Sequence, residues 1–162
     1  MTRKSSFSPI VDPHTRLLIL GSLPGERSLA ERRYYAHPQN QFWRLVGHAI
    51  GRDIAALAYE ARLAALRAAR IGLWDVIASA RRAGSTDAAI REHDANDLAA
   101  LTDSLPALRA VAFNGGTALR LGRPLLAKSA LTLVPLPSSS ALHTVKIEVK
   151  QPQWDALAAF LA

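Results

Sequence analysis

The sequence predicts an α/β fold, a three-layer sandwich built on a mostly parallel sheet of four strands. Two observations carry that expectation. Four short apolar runs, at residues 16–20, 71–78, 110–114 and 130–137, are bounded by glycine, proline or basic residues, as buried strands are where they run into turns. Stretches with helical spacing lie between them, and strands that alternate with helices form a parallel sheet covered on both faces.

The first run, 16–20, enters GSLPG (21–25) and reads as a strand followed by a turn. Residues 42–50 and then 54–70 show helical spacing, with Leu57, Leu63 and Leu66 near one face. IGLWDVIA (71–78) is the second strand. The polar stretch 81–93 reads as turns, after which Asp94 or Asn96 is placed to cap a helix reaching about Leu105. AVAFN (110–114), then GG, then TALRLG repeats the order strand, glycine turn, helix. ALTLVPLP (130–137) is the fourth strand and 153–162 a closing helix. No linker or internal repeat interrupts the chain, so residues 1–162 are expected to form a single domain.

At 162 residues such a domain buries roughly two-thirds of the surface its unfolded chain exposes. The absence of cysteine excludes disulfides, thiolate zinc sites, iron–sulfur clusters and a cysteine nucleophile. Residues 1–14 contain no apolar h-region, and no apolar run approaches the length of a membrane span, so a cytoplasmic protein without membrane contact is expected. The net charge of +7 favours a polyanionic partner, because lysine and arginine release counterions from phosphates. The same excess of arginine over lysine also arises from genomic composition, so charge alone leaves nucleic-acid binding open.

Ligands of open α/β sheets bind beyond the carboxyl ends of the strands, and the unusual residues of this chain fall there. GSLPG can expose backbone N–H groups to an anion or a carbonyl oxygen, or serve as a plain loop. YYAHPQNQFW (34–43) concentrates aromatic and amide side chains in a chain that is only 6% aromatic. His37-Pro38 favours an extended or turn conformation that holds Tyr34 and Tyr35 above the sheet, where a tyrosine can stack on a planar base. Asn40 stands at the start of the helix led by Phe42 and Trp43, as a helix cap or as a site residue.

Together, GSLPG and YYAHPQNQFW resemble the paired motifs of the uracil-DNA glycosylase superfamily, whose mismatch-specific members carry GINPG and then an aromatic-Ala-His-Pro-x-Asn-x-Phe-Trp run. The likeness is greatest to the hypoxanthine-DNA (deoxyinosine) glycosylase branch. It extends through 72–90, FNGG (113–116) and PLPSSSALH (135–143), and so spans most of the chain. The resemblance implies a uracil-DNA glycosylase-like sandwich and a monofunctional enzyme of base-excision repair, acting without metal or cofactor. Its implied substrate is DNA containing a deaminated base, hypoxanthine first and uracil second, and its implied acting unit is a monomer.

The site residues follow from the same likeness. The mismatch-specific group positions its attacking water with an asparagine in the first motif, where this chain has Leu23. The resemblance therefore assigns the catalytic role to Asn40. Tyr35 matches the stacking aromatic, and Gly21, Ser22, Leu23, Pro24 and Gly25 form the turn that binds the leaving base. Asp75 stands where superfamily members place a side chain that reads the base edge; a helix cap or a pairing with Arg81 or Arg82 is the alternative. Asn114 is a base contact or a turn asparagine at a strand end. Ser138, Ser139, Ser140, Ala141, Leu142 and His143 match the loop that contacts DNA, with serines suited to phosphate and Leu142 to the gap left by an extruded base. Leu136 replaces the histidine of the true uracil enzymes, which argues against their stabilisation of a pyrimidine O2. His14 and His48 have no partner spacing for a metal.

Two rivals stand beside this reading. One is a non-catalytic nucleic-acid-binding member of the same fold, favoured by the apolar Leu23. The other is a small-nucleotide or phosphoester enzyme using GSLPG as an anion turn, although Glu26 is the one nearby acid and no GK[ST] occurs.

Overall fold

The computed structural model describes residues 3–162, so Met1 and Thr2 of the N-terminal stretch lie outside the described residues. Among these, seven strands form two sheets. The larger holds β2 (Leu17–Gly21), β3 (Ile71–Asp75), β6 (Ala110–Asn114) and β7 (Thr132–Leu136) in the order β3-β2-β6-β7, wholly parallel. The smaller is antiparallel and holds β1 (Arg3–Ser5), β4 (Ile77–Arg81) and β5 (Arg91–Ala95) in the order β1-β4-β5.

Alternation along the strands builds the layers. Leu17, Ile19, Ile71, Leu73, Ala110 and Ala112 face one side of the large sheet. They pack against Phe42, Leu45, Leu66 and Trp154 from α2 (Phe42–Ile50), α3 (Tyr59–Ala68) and α6 (Ile147–Asp155), numbered after the short α1 (Glu26–Glu31). Leu18, Leu20, Val111 and Phe113 face the other side, against Leu98 of α4 (Leu98–Asp103), Ala118 of α5 (Gly116–Gly122) and Leu126. Each fully buried leucine, isoleucine or phenylalanine contributes roughly 1.5–3 kcal/mol, which is why these strands read as unbroken apolar runs.

Several elements differ from the sequence reading, each for a physical reason. The second run breaks at Val76: β3 ends at Asp75, and β4 crosses into the small sheet. The polar stretch 81–93 holds the end of β4, a connection over 82–90 that includes a single 3-10 turn at Asp87–Ala89, and the start of β5. Every residue of β5 is exposed, so its sequence carries no apolar alternation, and only pairing with β4 makes it a strand. Helix α3 begins at Tyr59, because 51–58 folds as turns around the buried Ile54. Asp97, not Asp94 or Asn96, caps α4 by accepting from Ala100 N at 3.0 Å; Asp94 lies in β5 and Asn96 donates to Asp75 O. Helix α6 starts at Ile147, six residues before the expected Gln153, and carries Pro152 in its interior. A proline more often marks a helix start, which is how the sequence misleads here. No helix among the described residues is long and apolar enough to cross a membrane.

Candidate active site

All five segments named from the sequence converge at the carboxyl ends of the parallel strands, around one cavity of about 550 Å³. A volume of that size fits a nucleoside-sized ligand. The turn 21–25 lines it, as do Tyr35, Asn40, Asp75, Asn114 and the loop 138–143. The fold thus places every residue nominated above on one wall or another of a single concavity. Ser85, Thr86 and Asp87 also line it and were not nominated. Their segment, 82–90, falls within the stretch of likeness, but its polarity reads as an ordinary turn until β4 and β5 fold it over the site.

Gly21 at the end of β2 is required by crowding. A Cβ there would stand 2.6 Å from Asp75 Oδ1 and 3.2 Å from the Tyr35 hydroxyl. Beyond it, Ser22 Oγ donates to Asp87 Oδ1 at 2.7 Å and Glu26 N to Ser85 Oγ at 2.9 Å, which ties the turn to the segment covering it. The Leu23 side chain packs with Ile77 and Ala80 and brings no polar group to the cavity.

Tyr34 borders the same cavity as Tyr35, but its ring is not free to stack on a base. It is buried against Phe7, its hydroxyl donates to Ser8 O at 2.8 Å, and its N–H donates to the Tyr59 hydroxyl at 2.9 Å. That anchor fixes Tyr35, which adopts a left-handed backbone with φ of 51°. The Tyr35 ring stacks on Phe42 with centroids 3.9 Å apart and 10° between planes. Its backbone carbonyl accepts from Trp43 Nε1 at 3.0 Å. Burial raises the Tyr35 hydroxyl above its ordinary range, so it stays protonated.

Asn40, one residue before the N-cap Gln41, takes the N–H of the first residue of α2 and joins a side-chain network as well. Its Oδ1 accepts from Phe42 N at 2.9 Å and from Ser139 Oγ at 2.9 Å. A backbone N–H can only donate, so the atom facing Phe42 N is the amide oxygen. Both Oδ1 lone pairs are thereby engaged, and Nδ2 is the end of the amide left for a ligand. Asn114 completes the network: its Oδ1 accepts from Ser139 N at 2.9 Å, and its Nδ2 donates to Ser139 Oγ at 2.9 Å and to the Tyr35 hydroxyl at 3.3 Å. Asn114 therefore acts as a cross-link between strand end and loop, beyond the turn role its sequence position allows.

Asp75 is 4% exposed at the end of β3, and its Oδ2 is buried without a hydrogen-bond partner. Neither alternative from the sequence holds. Asp75 caps no helix, Arg81 pairs with Glu92, and Arg82 donates to backbone carbonyls. Burial, reinforced by the charge of Asp87 and partly offset by Arg82, pushes the Asp75 carboxyl up to about 7. An unpartnered buried carboxylate oxygen costs free energy unless a ligand completes it.

The loop 138–143 is held from beneath. Lys150 of α6 is fully buried, and its Nζ donates to Gln41 Oε1 at 2.9 Å, His143 O at 3.0 Å and Ser140 O at 3.4 Å. Nothing in the sequence signals this role, because Lys150 lies outside every motif. Leu142, 67% exposed, tops the loop, whereas Leu136 is buried in the core below it. His143 is exposed, and its imidazole has no partner among the described residues.

Comparison with known proteins agrees with this architecture. Residues 8–160 match the family model described as the Uracil DNA glycosylase superfamily. A Hypoxanthine DNA glycosylase of Methanosarcina acetivorans is 41% identical over 154 residues, covering 95% of this chain and 97% of the relative. One from Methanosarcina barkeri is 42% identical over 152 residues, covering 94% and 96%. The fold is shared with a solution NMR structure of a Methanosarcina acetivorans protein described as a candidate uracil DNA glycosylase, with a TM-score of 0.90, 40% identity and 99% coverage of both chains. The chain belongs to the uracil DNA glycosylase superfamily.

Proposed function

We propose that this protein removes a deaminated base from DNA, hypoxanthine first and uracil second, by hydrolysing the N-glycosidic bond, and acts as a monomer in the cytoplasm. The observation that carries the reading is the unpartnered Asp75 carboxylate facing the same cavity as the Asn40 amide. Deamination turns an amidine edge into a lactam, which places a hydrogen on a ring nitrogen. A buried carboxylate accepts that hydrogen from hypoxanthine or uracil, and it repels the bare lone pair that adenine or cytosine presents at the same position.

The flipped nucleotide enters with its base between Tyr35 and the turn 21–25. As the bond to C1′ breaks, its electron pair stays on the base and the sugar gains oxocarbenium character. N–H groups of the turn stabilise the charge on the base. Asn40 Nδ2 holds a water by one lone pair and leaves the other to attack C1′; the water loses a proton, and the departing base gains one. An amide is no general base, so the water is positioned, not deprotonated, before attack. Ser138 and Ser140 meet phosphate and Leu142 fills the space the base vacates, whereas Ser139, expected from the sequence to touch DNA as well, is buried and bonded to Asn40 and Asn114 and holds the loop in place.

The test incubates purified protein with oligonucleotides carrying hypoxanthine, uracil, xanthine or adenine. Release of the lactam bases with adenine untouched is expected, and the strand should break only on alkali treatment. Borohydride should trap no covalent complex, because Lys150, the buried amine nearest the motif loops, commits its donors to three acceptors and does not line the cavity. Failure to release any base would overturn the reading.

Tyr35 supports capture of the base. Aromatic stacking is worth about 1 to 3 kcal/mol per base, so Tyr35→Ala should weaken binding of hypoxanthine DNA by roughly 5- to 150-fold. Tyr35→Phe keeps the ring on Phe42 and should cost little, since the hydroxyl accepts only the 3.3 Å bond from Asn114. Fluorescence titration of both variants separates the ring from the hydroxyl.

A further inference from the structure

Arg82 is 1% exposed, and its charged fork reaches only main-chain oxygens: Pro24 O from Nη2 at 2.5 Å, Gly84 O from Nε at 2.8 Å and Leu23 O from Nη1 at 3.4 Å. Two of those carbonyls belong to the turn that lines the cavity, yet Arg82 itself does not line it. The guanidinium lies behind the turn and pulls its carbonyls away from the space a base would fill.

The Pro24–Gly25 peptide bond is trans, so its oxygen and its N–H point in opposite directions. With the oxygen held on the buried side, the Gly25 N–H faces the side where Pro24 and Gly25 line the cavity. That N–H has no acceptor among the described residues, whereas the next one along, Glu26 N, is taken by Ser85 Oγ. A positive charge on the oxygen of a peptide withdraws electron density through the amide and strengthens its N–H as a donor. At a desolvated site such fixed donors act on developing charge without reorganising.

We propose that Arg82 is a positioning residue for excision: it fixes and polarises the Pro24–Gly25 peptide, so that the Gly25 N–H stabilises the negative charge growing on the departing base. The inference rests on the glycosylase reading above. It adds a residue that contacts no substrate and acts through the main chain. It also accounts for a buried cation whose nearest acids, Asp75 and Asp87, make no ion pair with it.

The test compares hypoxanthine with 8-azahypoxanthine, a near-isosteric base whose ring is more acidic and leaves with less assistance. Single-turnover excision of both is measured for the unsubstituted protein, Arg82→Met and Arg82→Lys, alongside thermal unfolding and affinity for abasic-site DNA. Arg82→Met should slow hypoxanthine release roughly 10- to 100-fold, slow 8-azahypoxanthine clearly less, and leave abasic-DNA affinity unchanged. Arg82→Lys keeps the charge without the fork and should recover part of the rate. Equal slowing of both bases, or no slowing, would overturn the proposal. Should Arg82→Met fail to fold, the lysine variant decides alone, because it too must slow hypoxanthine more than the aza base. Inactivity of the unsubstituted protein on hypoxanthine would instead count against the glycosylase reading.

Discussion

Asn40→Ala should lower the single-turnover rate of base release by about 10²- to 10³-fold, the loss expected when one preorganised polar contact to the reacting centre disappears. The structure adds a stability cost that the sequence leaves out. Oδ1 of Asn40 caps the N–H of Phe42 and accepts from Ser139, so the alanine variant should also lose about 1 kcal/mol of folding stability. Asn40→Asp separates the two effects. It keeps an acceptor for both donors, and so the stability, but has no N–H to hold a water, and it should remain slow. Thermal melts beside single-turnover kinetics read both quantities. Undiminished excision by the alanine variant would leave Asn40 as a helix cap and nothing more.

Asp75→Leu should lower kcat/KM on hypoxanthine DNA by roughly 10- to 100-fold, the value of a buried hydrogen bond to a charged acceptor. The pH profile provides a sharper test. If the anion accepts the ring N–H, activity rises with pH through about 7, where this carboxyl titrates in the free protein. Asp75→Asn retains an acceptor oxygen and cannot titrate, so it should stay active and lose that rise. Stability moves the other way. The folded pKa is raised, so between the ordinary carboxylate range and about 7 the folded protein keeps a proton that the unfolded chain releases. Folding stability therefore falls as pH increases across that window and stays low above it. Asp75→Asn should melt higher than the unsubstituted protein at pH 8, with the difference closing by pH 4. A melting temperature insensitive to this substitution at pH 8 would mean that Asp75 is not held in an unfavourable ionisation state.

These two residues had different visibility in the sequence. Asn40 sits in a ten-residue run dense in aromatics and amides, and the run together with GSLPG is specific enough to carry a family resemblance. Asp75 was one polar residue at a strand end, with cap and ion-pair readings equally open. Only the packing of β3 beside β2, which sets Asp75 across from Gly21, shows its oxygen to be unpartnered.

What the sequence by itself determined is whatever a local pattern encodes. β2, and β3 and β6 up to the polar residue that ends each, are apolar because both faces are covered, the edge strand β7 shows as a short apolar run, and α2 is bounded by Phe42 and Gly51, so each can be read from its own residues. What only the tertiary structure decided rests on partners distant along the chain. The small sheet joins residues 3–5 to 77–81 and 91–95, and the exposed polar β5 has no periodicity to announce it. Ser85, Thr86 and Asp87 reach the cavity because that sheet folds their turn over it. Lys150 and Arg82 look like surface cations in any window of sequence, since a charged side chain is ordinarily solvated. Each is buried because oxygens that the fold brings together take its donors, Gln41 Oε1 from a distant loop with the nearer carbonyls of Ser140 and His143 in one case and the distant carbonyls of Leu23 and Pro24 in the other, and that geometry exists only once the chain has folded.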